Sequence, residues 1–181
     1  WNHHLTTTGK MPVPLLWQRS PIKKSSFASG GNQVKVEPMN YQPIENYGII
    51  GNLNSVALVG KHGSIDFLCF PRFDSPTIFA ALLDHKKGGH FKIAPVSKTT
   101  RSRQMYLPDT NILLTRFFSD EGVATLSDFM PISESTHDNT LIRRLKVVHG
   151  EIKFQMTCAP RFDYGRAKHT VEKRHGEVTF R

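Results

Sequence analysis

The chain has 181 residues, 24 Lys and Arg against 15 Asp and Glu, a net charge of +9 and an apolar share of 38%. That length accommodates one domain with a core. No stretch approaches the ~20 apolar residues of a membrane span, and the basic residues are scattered among acids, so composition argues for a solvated basic surface over a nucleic-acid stripe.

Residues 1–38 open on Trp1, are rich in Ser, Gly and Pro, and hold no sustained apolar period. Such a segment buries too little surface to offset its ordering entropy, so it is expected to be a disordered or leader segment, with Met39 as the natural start. Its apolar stretch at 11–17 is too short and too proline-broken for a signal-peptide core. From Tyr41 the pattern becomes β, and residues 39–181 form the expected domain. Strands are predicted at 64–70, 90–93 and 103–107 from short apolar runs and alternation. Between the first two, 76–84 reads as one short helix, with Ser75 as cap, Pro76 in the first turn, and Ile78, Phe79, Leu82 and Leu83 on one face. Residues 112–119 and 123–130 form a predicted hairpin through Asp120-Glu121-Gly122, with the glycine supplying a positive φ. Residues 140–149 alternate with Leu141, Arg143, Leu145 and Val147 on one face. After a His149-Gly150 turn, read as a second hairpin, Ile152, Phe154, Met156 and Cys158 share a face. A last strand is predicted at 178–181. Many short strands with turn signals give an all-β fold, an antiparallel β-sandwich with one short helix.

The two cysteines, Cys69 and Cys158, form neither a disulfide framework nor a zinc pattern. They read as buried free thiols, and the expected compartment is cytoplasmic. The nine histidines lack metal-ligand spacing, and no cofactor is called for. Gly60-Lys61-His62-Gly63-Ser64 lacks the interval of a phosphate loop and precedes a strand.

Longer blocks carry more. The run Tyr41-Gln42-Pro43-Ile44-Glu45-Asn46-Tyr47-Gly48-Ile49-Ile50-Gly51 leads on to Ala57-Leu58-Val59. Then come Gly63-Ser64-Ile65-Asp66-Phe67-Leu68-Cys69-Phe70-Pro71-Arg72-Phe73-Asp74-Ser75-Pro76, Phe79-Ala80-Ala81-Leu82-Leu83-Asp84 and Gly88-Gly89. With Tyr106-Leu107-Pro108-Asp109-Thr110-Asn111, Asp128-Phe129-Met130-Pro131 and Arg161-Phe162-Asp163-Tyr164-Gly165-Arg166, these blocks resemble the N-terminal domain of glycoside hydrolase family 15. The similarity is to its bacterial and archaeal branch of glucoamylases and α,α-trehalases. Phe67 stands where that family usually has Trp, and Asn52 where Asp is common. The resemblance implies an N-terminal sandwich followed by an (α/α) barrel, which holds two catalytic Glu residues and acts on a glucoside with inversion. It also implies that the sandwich is incomplete at Arg181 and that this chain holds no catalytic residue. The barrel of the same parent chain would be its partner, with no nucleic acid and no membrane.

The tetrapeptide Pro-Arg-Phe-Asp occurs at 71–74 and again at 160–163. Arg72 and Asp74 are candidates for the sugar-pocket wall or an interdomain contact, the alternative being an internal ion pair that pins the loop. Arg161, Asp163, Tyr164 and Arg166 are candidates for the same part from a second loop, with both loops at one end of the sandwich. Asp66 is expected to point outward from its strand, and Asp128 to stabilise a turn. Nothing pairs these two for acid–base work. Phe117, Phe118, Phe129 and Phe154 read as core. A free-standing carbohydrate-binding sandwich is the rival from another class, and a nucleic-acid-binding β domain is third.

Overall fold

The structure, a computed structural model, describes residues 3–6, 41–97, 99–132, 139–174 and 177–181. The expectation for residues 1–38 lies outside the described residues except at strand β1 (His3–Thr6). After a 3-10 turn at Ile44–Asn46 come β2 (Tyr47–Gly51), β3 (Val56–Gly60), β4 (Ser64–Cys69), β5 (Thr77–Phe79) and β6 (His90–Pro95). β7 (Arg101–Tyr106), β8 (Leu113–Ser119), β9 (Gly122–Phe129) and β10 (Thr140–Gly150) follow, then β11 (Phe154–Ala159), β12 (Val171–Arg174) and β13 (Glu177–Phe180).

Two antiparallel sheets face one another. The first has the order β1-β10-β9-β8-β7; the second has β11-β6-β4-β3-β2, with β5 added on β4. Their inner faces meet in one core. Ile50, Ala57, Val59, Ile65, Leu68, Phe91 and Ile93 come from the second sheet, and Leu113, Phe117, Leu126 and Leu141 from the first. The expected sandwich is therefore present, and period-two alternation put the right side chains inward. Gly48 is required by close approach, because a Cβ there would lie 2.5 Å from a Leu113 methyl across the interface. Among the described residues no helix is long and apolar enough to cross a membrane.

Phe118, expected in the core, is exposed instead, because alternation along β8 gives the inward place to Phe117. Three expectations of local structure also fail, each for a physical reason. Residues 76–84 are not a helix. Thr77, Ile78 and Phe79 are all buried and pair with β4 through Leu68↔Phe79 and Cys69↔Thr77. Only one turn follows, closed by the Leu83 and Asp84 N–H groups on the Ala80 carbonyl. A β-branched pair followed by Phe favours the sheet, and nine residues are too few to hold a helix without packing. Among the described residues the one segment assigned as α-helix is elsewhere, at Phe162–Gly165.

The second failure is the hairpin at His149-Gly150. β10 pairs with β9, whereas β11 pairs with β6 in the other sheet, so the chain crosses between layers there. Of the apolar face read there, Phe154, Met156 and Cys158 pack on the core, and Ile152 is buried. The third concerns Gly122. The hairpin of β8 and β9 exists, but Ser119 pairs with Gly122, leaving a two-residue loop with no positive φ at the glycine. Glycine is needed there because a Cβ would lie 2.2 Å from the His149 carbonyl oxygen on the neighbouring strand.

At the centre of the core lies a charge pair. Arg143 and Asp128 are directly opposed on β10 and β9 and are 2% and 0% exposed. The guanidinium donates to both Asp128 oxygens, at 2.8 and 3.2 Å, to the Phe91 carbonyl at 2.6 Å and to the Gly63 carbonyl at 2.9 Å. It also stacks on the Phe91 ring, 4.7 Å from its centroid. Asp128 is thus no turn residue; it is half of a bidentate pair that clamps one sheet to the other.

Candidate functional site

The first tetrapeptide forms an exposed loop between β4 and β5. Arg72 and Asp74 pair at 3.1 Å, both about 70% exposed, so this is an ion pair in solvent and contributes little. The backbone holds the loop more firmly. The Arg72 N–H donates to Ser75 Oγ, the Ser75 N–H to the Arg72 carbonyl, and the Phe73 N–H to the Asn54 carbonyl at 2.8 Å.

Asn54 belongs to a second loop, organised by Asn52. The Asn52 Oδ1 accepts the N–H groups of Asn54 and Ser55, while its Nδ2 donates to Asn139 Oδ1 at 3.1 Å. An aspartate at 52 could make the first two bonds, but the third only with the Asn139 amide turned to donate. Sequence reasoning noticed Asn52 only as a departure and missed Asn139; the turn signal Asn-Leu-Asn-Ser was the available clue.

Beside these loops runs an apolar groove of about 1120 Å³, lined in part by Ile49, Leu53, Phe73, Tyr106, Leu107 and Ile132. These six side chains are all exposed, which is a dense concentration of apolar surface. Tyr106 anchors one wall, its hydroxyl accepting from the Ile49 N–H and donating to the Ile49 carbonyl. The first loop thus flanks a groove through Phe73, while Arg72 and Asp74 sit on the loop itself.

The second tetrapeptide packs against β5, directly beyond the first. The Arg161 N–H donates to the Ile78 carbonyl at 2.9 Å, and the Tyr164 N–H to Thr77 Oγ1 at 3.1 Å. Its helical turn is left-handed: Asp163 and Tyr164 have φ of 51° and 56°, and Gly165 has 79°. Non-glycine residues there store strain of about 1–2 kcal/mol each. The Arg166 side chain bonds the Asp163 carboxylate at 2.8 Å and lies over the exposed Tyr164 ring. Thus β5 joins the two loops, with Asp163, Tyr164 and Arg166 forming one surface cluster and Arg72 and Asp74 another.

A further polar cluster occupies the outer face of the second sheet. Asp66 does face away from the core, but it is buried, accepting from the Tyr47 hydroxyl at 2.8 Å and from the Ser64 hydroxyl. Burial, then the hydrogen bond and charge of Asp66, hold the Tyr47 phenol well above its ordinary range. Burial also lowers the His62 and His90 imidazoles below 6.5, against the Asp66 charge and aided by Lys92. Asp66, on the outer face of the second sheet, and Asp128, reaching into the core from the first sheet, are therefore separated by the second sheet and form no acid–base couple. Among the described residues no group of His, Cys, Asp and Glu could hold a metal. Cys69 and Cys158 are both free, and burial pushes the Cys158 thiol up to about 12.

The histidines give a pH dependence with a definite sign. Their folded pKa values lie below the unfolded one, so between the two the unfolded chain binds more protons. The stability they contribute is complete above about pH 7 and is lost as the pH falls from the unfolded toward the folded value. Thermal melts from about pH 7 to about pH 5 should show a falling Tm. The slope should shrink in the His62→Gln/His90→Gln variant; an unchanged slope would place the acid-sensitive groups elsewhere.

The family model described as trehalase-like, N-terminal, matches residues 35–180. The chain is 31% identical over 149 residues to a trehalase of Mycolicibacterium smegmatis, covering 73% of this chain and 22% of that protein. It is 36% identical over 143 residues to a trehalase of Thermoplasma volcanium, covering 76% and 23%. It is 38% identical over 133 residues to trehalase 1 of Sulfolobus acidocaldarius, covering 74% and 22%. The chain thus spans less than a quarter of these relatives' length. No solved structure matches it.

Proposed function

The chain belongs to the trehalase-like N-terminal family, and from that premise we propose that it is the non-catalytic N-terminal module of a glycoside hydrolase of family 15 type. The intact parent, on this reading, hydrolyses α-glucosidic bonds in trehalose or starch-type glucosides with inversion, using carboxylates on an (α/α) barrel. The observation that carries the reading is the apolar groove beside the 71–76 loop, a surface suited to being covered. Leu53 and Phe73 would then pack under the barrel, with Arg72 and Asp74 at the rim of the junction. The two unpaired thiols fit a cytoplasmic parent.

The test has two arms. The purified chain should release no glucose from trehalose, maltose or soluble starch, because among the described residues Asp66 and Asp128 form no couple set for inversion. In the parent polypeptide, Leu53→Glu with Phe73→Glu should lower the Tm and the activity together, while leaving the fold of the isolated chain unchanged. Turnover by the chain alone, abolished at Asp66, Asp74 or Asp128, would overturn the reading.

One observation favours a second reading, a carbohydrate-binding sandwich. Tyr164 presents an exposed ring on a rigid turn, flanked by Arg166 and Asp163, as a sugar platform requires. Calorimetric titration of the chain with trehalose and maltose separates the two, since the interdomain reading expects no heat beyond dilution.

A further inference from the structure

The cations that look scattered in sequence are gathered by strand register. On the outer face of the first sheet, three rows cross β7, β8, β9 and β10: Arg103, Arg116, Thr125, Lys146; then Met105, Leu114, Ser127, Arg144; then Arg101, Phe118, Val123, His149. These twelve positions hold four Arg, one Lys and one His, and no carboxylate. Gln104, alternating with Arg103 and Met105, bonds the Val59 carbonyl of the opposite sheet, which fixes the arginines on the outer side.

Arg103 and Arg116 are directly opposed, as are the strands' next positions, with Cβ atoms about 5 Å apart. Like charges in that relation destabilise a sheet unless an anion lies between them. Among the described residues none of the five Lys and Arg has an ion pair. The face also runs into the apolar groove, since Phe129 at the end of β9, on the same side as Thr125 and Ser127, lines it.

The chemistry narrows the occupant. A second copy would bring the same sign of charge. Single-stranded nucleic acid uses aromatic platforms for its bases, whereas the side chains between these cations are chiefly aliphatic, Met105, Leu114 and Val123, with Phe118 the one ring. Arginine among aliphatic residues is the composition of a protein interface, and the guanidinium fork suits carboxylates. We propose that this face, centred on Arg103 and Arg116, docks an acidic surface on the remainder of the parent polypeptide, continuous with the groove. The inference rests on the reading of the chain as an N-terminal module.

Arginine modification by phenylglyoxal, mapped by mass spectrometry on the chain and on the parent polypeptide, tests it. Arg174, exposed and distant in sequence, is the internal reference. Arg101, Arg103, Arg116 and Arg144 should react in the chain at rates like Arg174. In the parent they should react at least about tenfold more slowly, and 0.5 M salt should restore much of the reactivity, since exposed charge pairs are screened. Hydroxyl-radical labelling of Leu53 and Phe73 in the same samples keeps the two ideas apart. Groove protected with arginines still reactive overturns this proposal and leaves the modular reading standing. Neither protected overturns both. Protection that salt does not touch overturns the acidic partner, and protection appearing only on adding a 20-nucleotide oligouridine assigns the face to nucleic acid instead.

Discussion

Replacing Arg143 by methionine is expected to destabilise the domain by about 3–5 kcal/mol, because it leaves the Asp128 carboxylate fully buried and without its bidentate partner. With ~3–4 °C of Tm per kcal/mol for a domain of this size, the melt should move down by about 10–20 °C. The loss comes from a stranded charge, so removing both charges should recover most of it: a buried pair is often no better than a well-packed apolar replacement. Asp128→Leu with Arg143→Met should therefore melt far above the single variant. The Gly63 carbonyl, which Arg143 also serves, keeps its bond from the Ile93 N–H at 3.0 Å, so the double change strands little else there. Urea melts of the wild type, both single variants and the double variant give the coupling directly. A single Arg143→Met protein as stable as wild type would show that the pair is not an interior clamp.

The second large effect is expected at Gly63. Its φ of 81° is in the left-handed region, and a Cβ would lie 2.2 Å from the Ile93 carbonyl oxygen and 3.1 Å from the Phe117 ring. Gly63→Val meets a backbone penalty of about 1–3 kcal/mol and a steric one of similar size, together about 2–6 kcal/mol. The turn cannot move away without also pulling the Gly63 carbonyl from Ile93 and Arg143. The variant should therefore couple to Arg143→Met instead of adding to it. Chemical denaturation of the two singles and the combination decides this, strict additivity being the contrary result. Gly63→Ala should lose less, since it adds the same Cβ without the branching.

The core face of β10 was legible in sequence, because alternation placed Arg143 with Leu141 and Leu145 irrespective of chemistry. Its partner was not. Arg143 meets Asp128 only through the register between β10 and β9, which the sequence of neither strand states. The basic face of the first sheet was hidden for the same reason: Arg103 and Arg116 lie far apart in a linear scan and opposite one another in the sheet. The 149–150 break was visible, but the sheet that β11 would join depended on where Ile152 and Phe154 find apolar partners. Residues 76–84 misled because a short apolar run supports either period, and pairing with β4 decided the matter. Of the candidate site, the two repeated tetrapeptides were readable as loops. The groove beside the first, and the left-handed turn in the second, are properties of the folded backbone and left only glycine and asparagine as traces.

The crossing between layers at 150–153 also orders the folding reaction in time. The first sheet, β1 apart, is a meander of consecutive strands from 101 to 150, and most of the second is another from 47 to 95. Each closes short loops, so each can assemble quickly from neighbours in the chain. β11 is different. It must return across roughly 60 residues to pair with β6 at Met156↔Ile93 and Cys158↔Phe91, after both meanders exist to receive it. The strand is thus a latch with no local partner, and pulse-labelled amide exchange during refolding should find its N–H groups protected after those of β2 to β10.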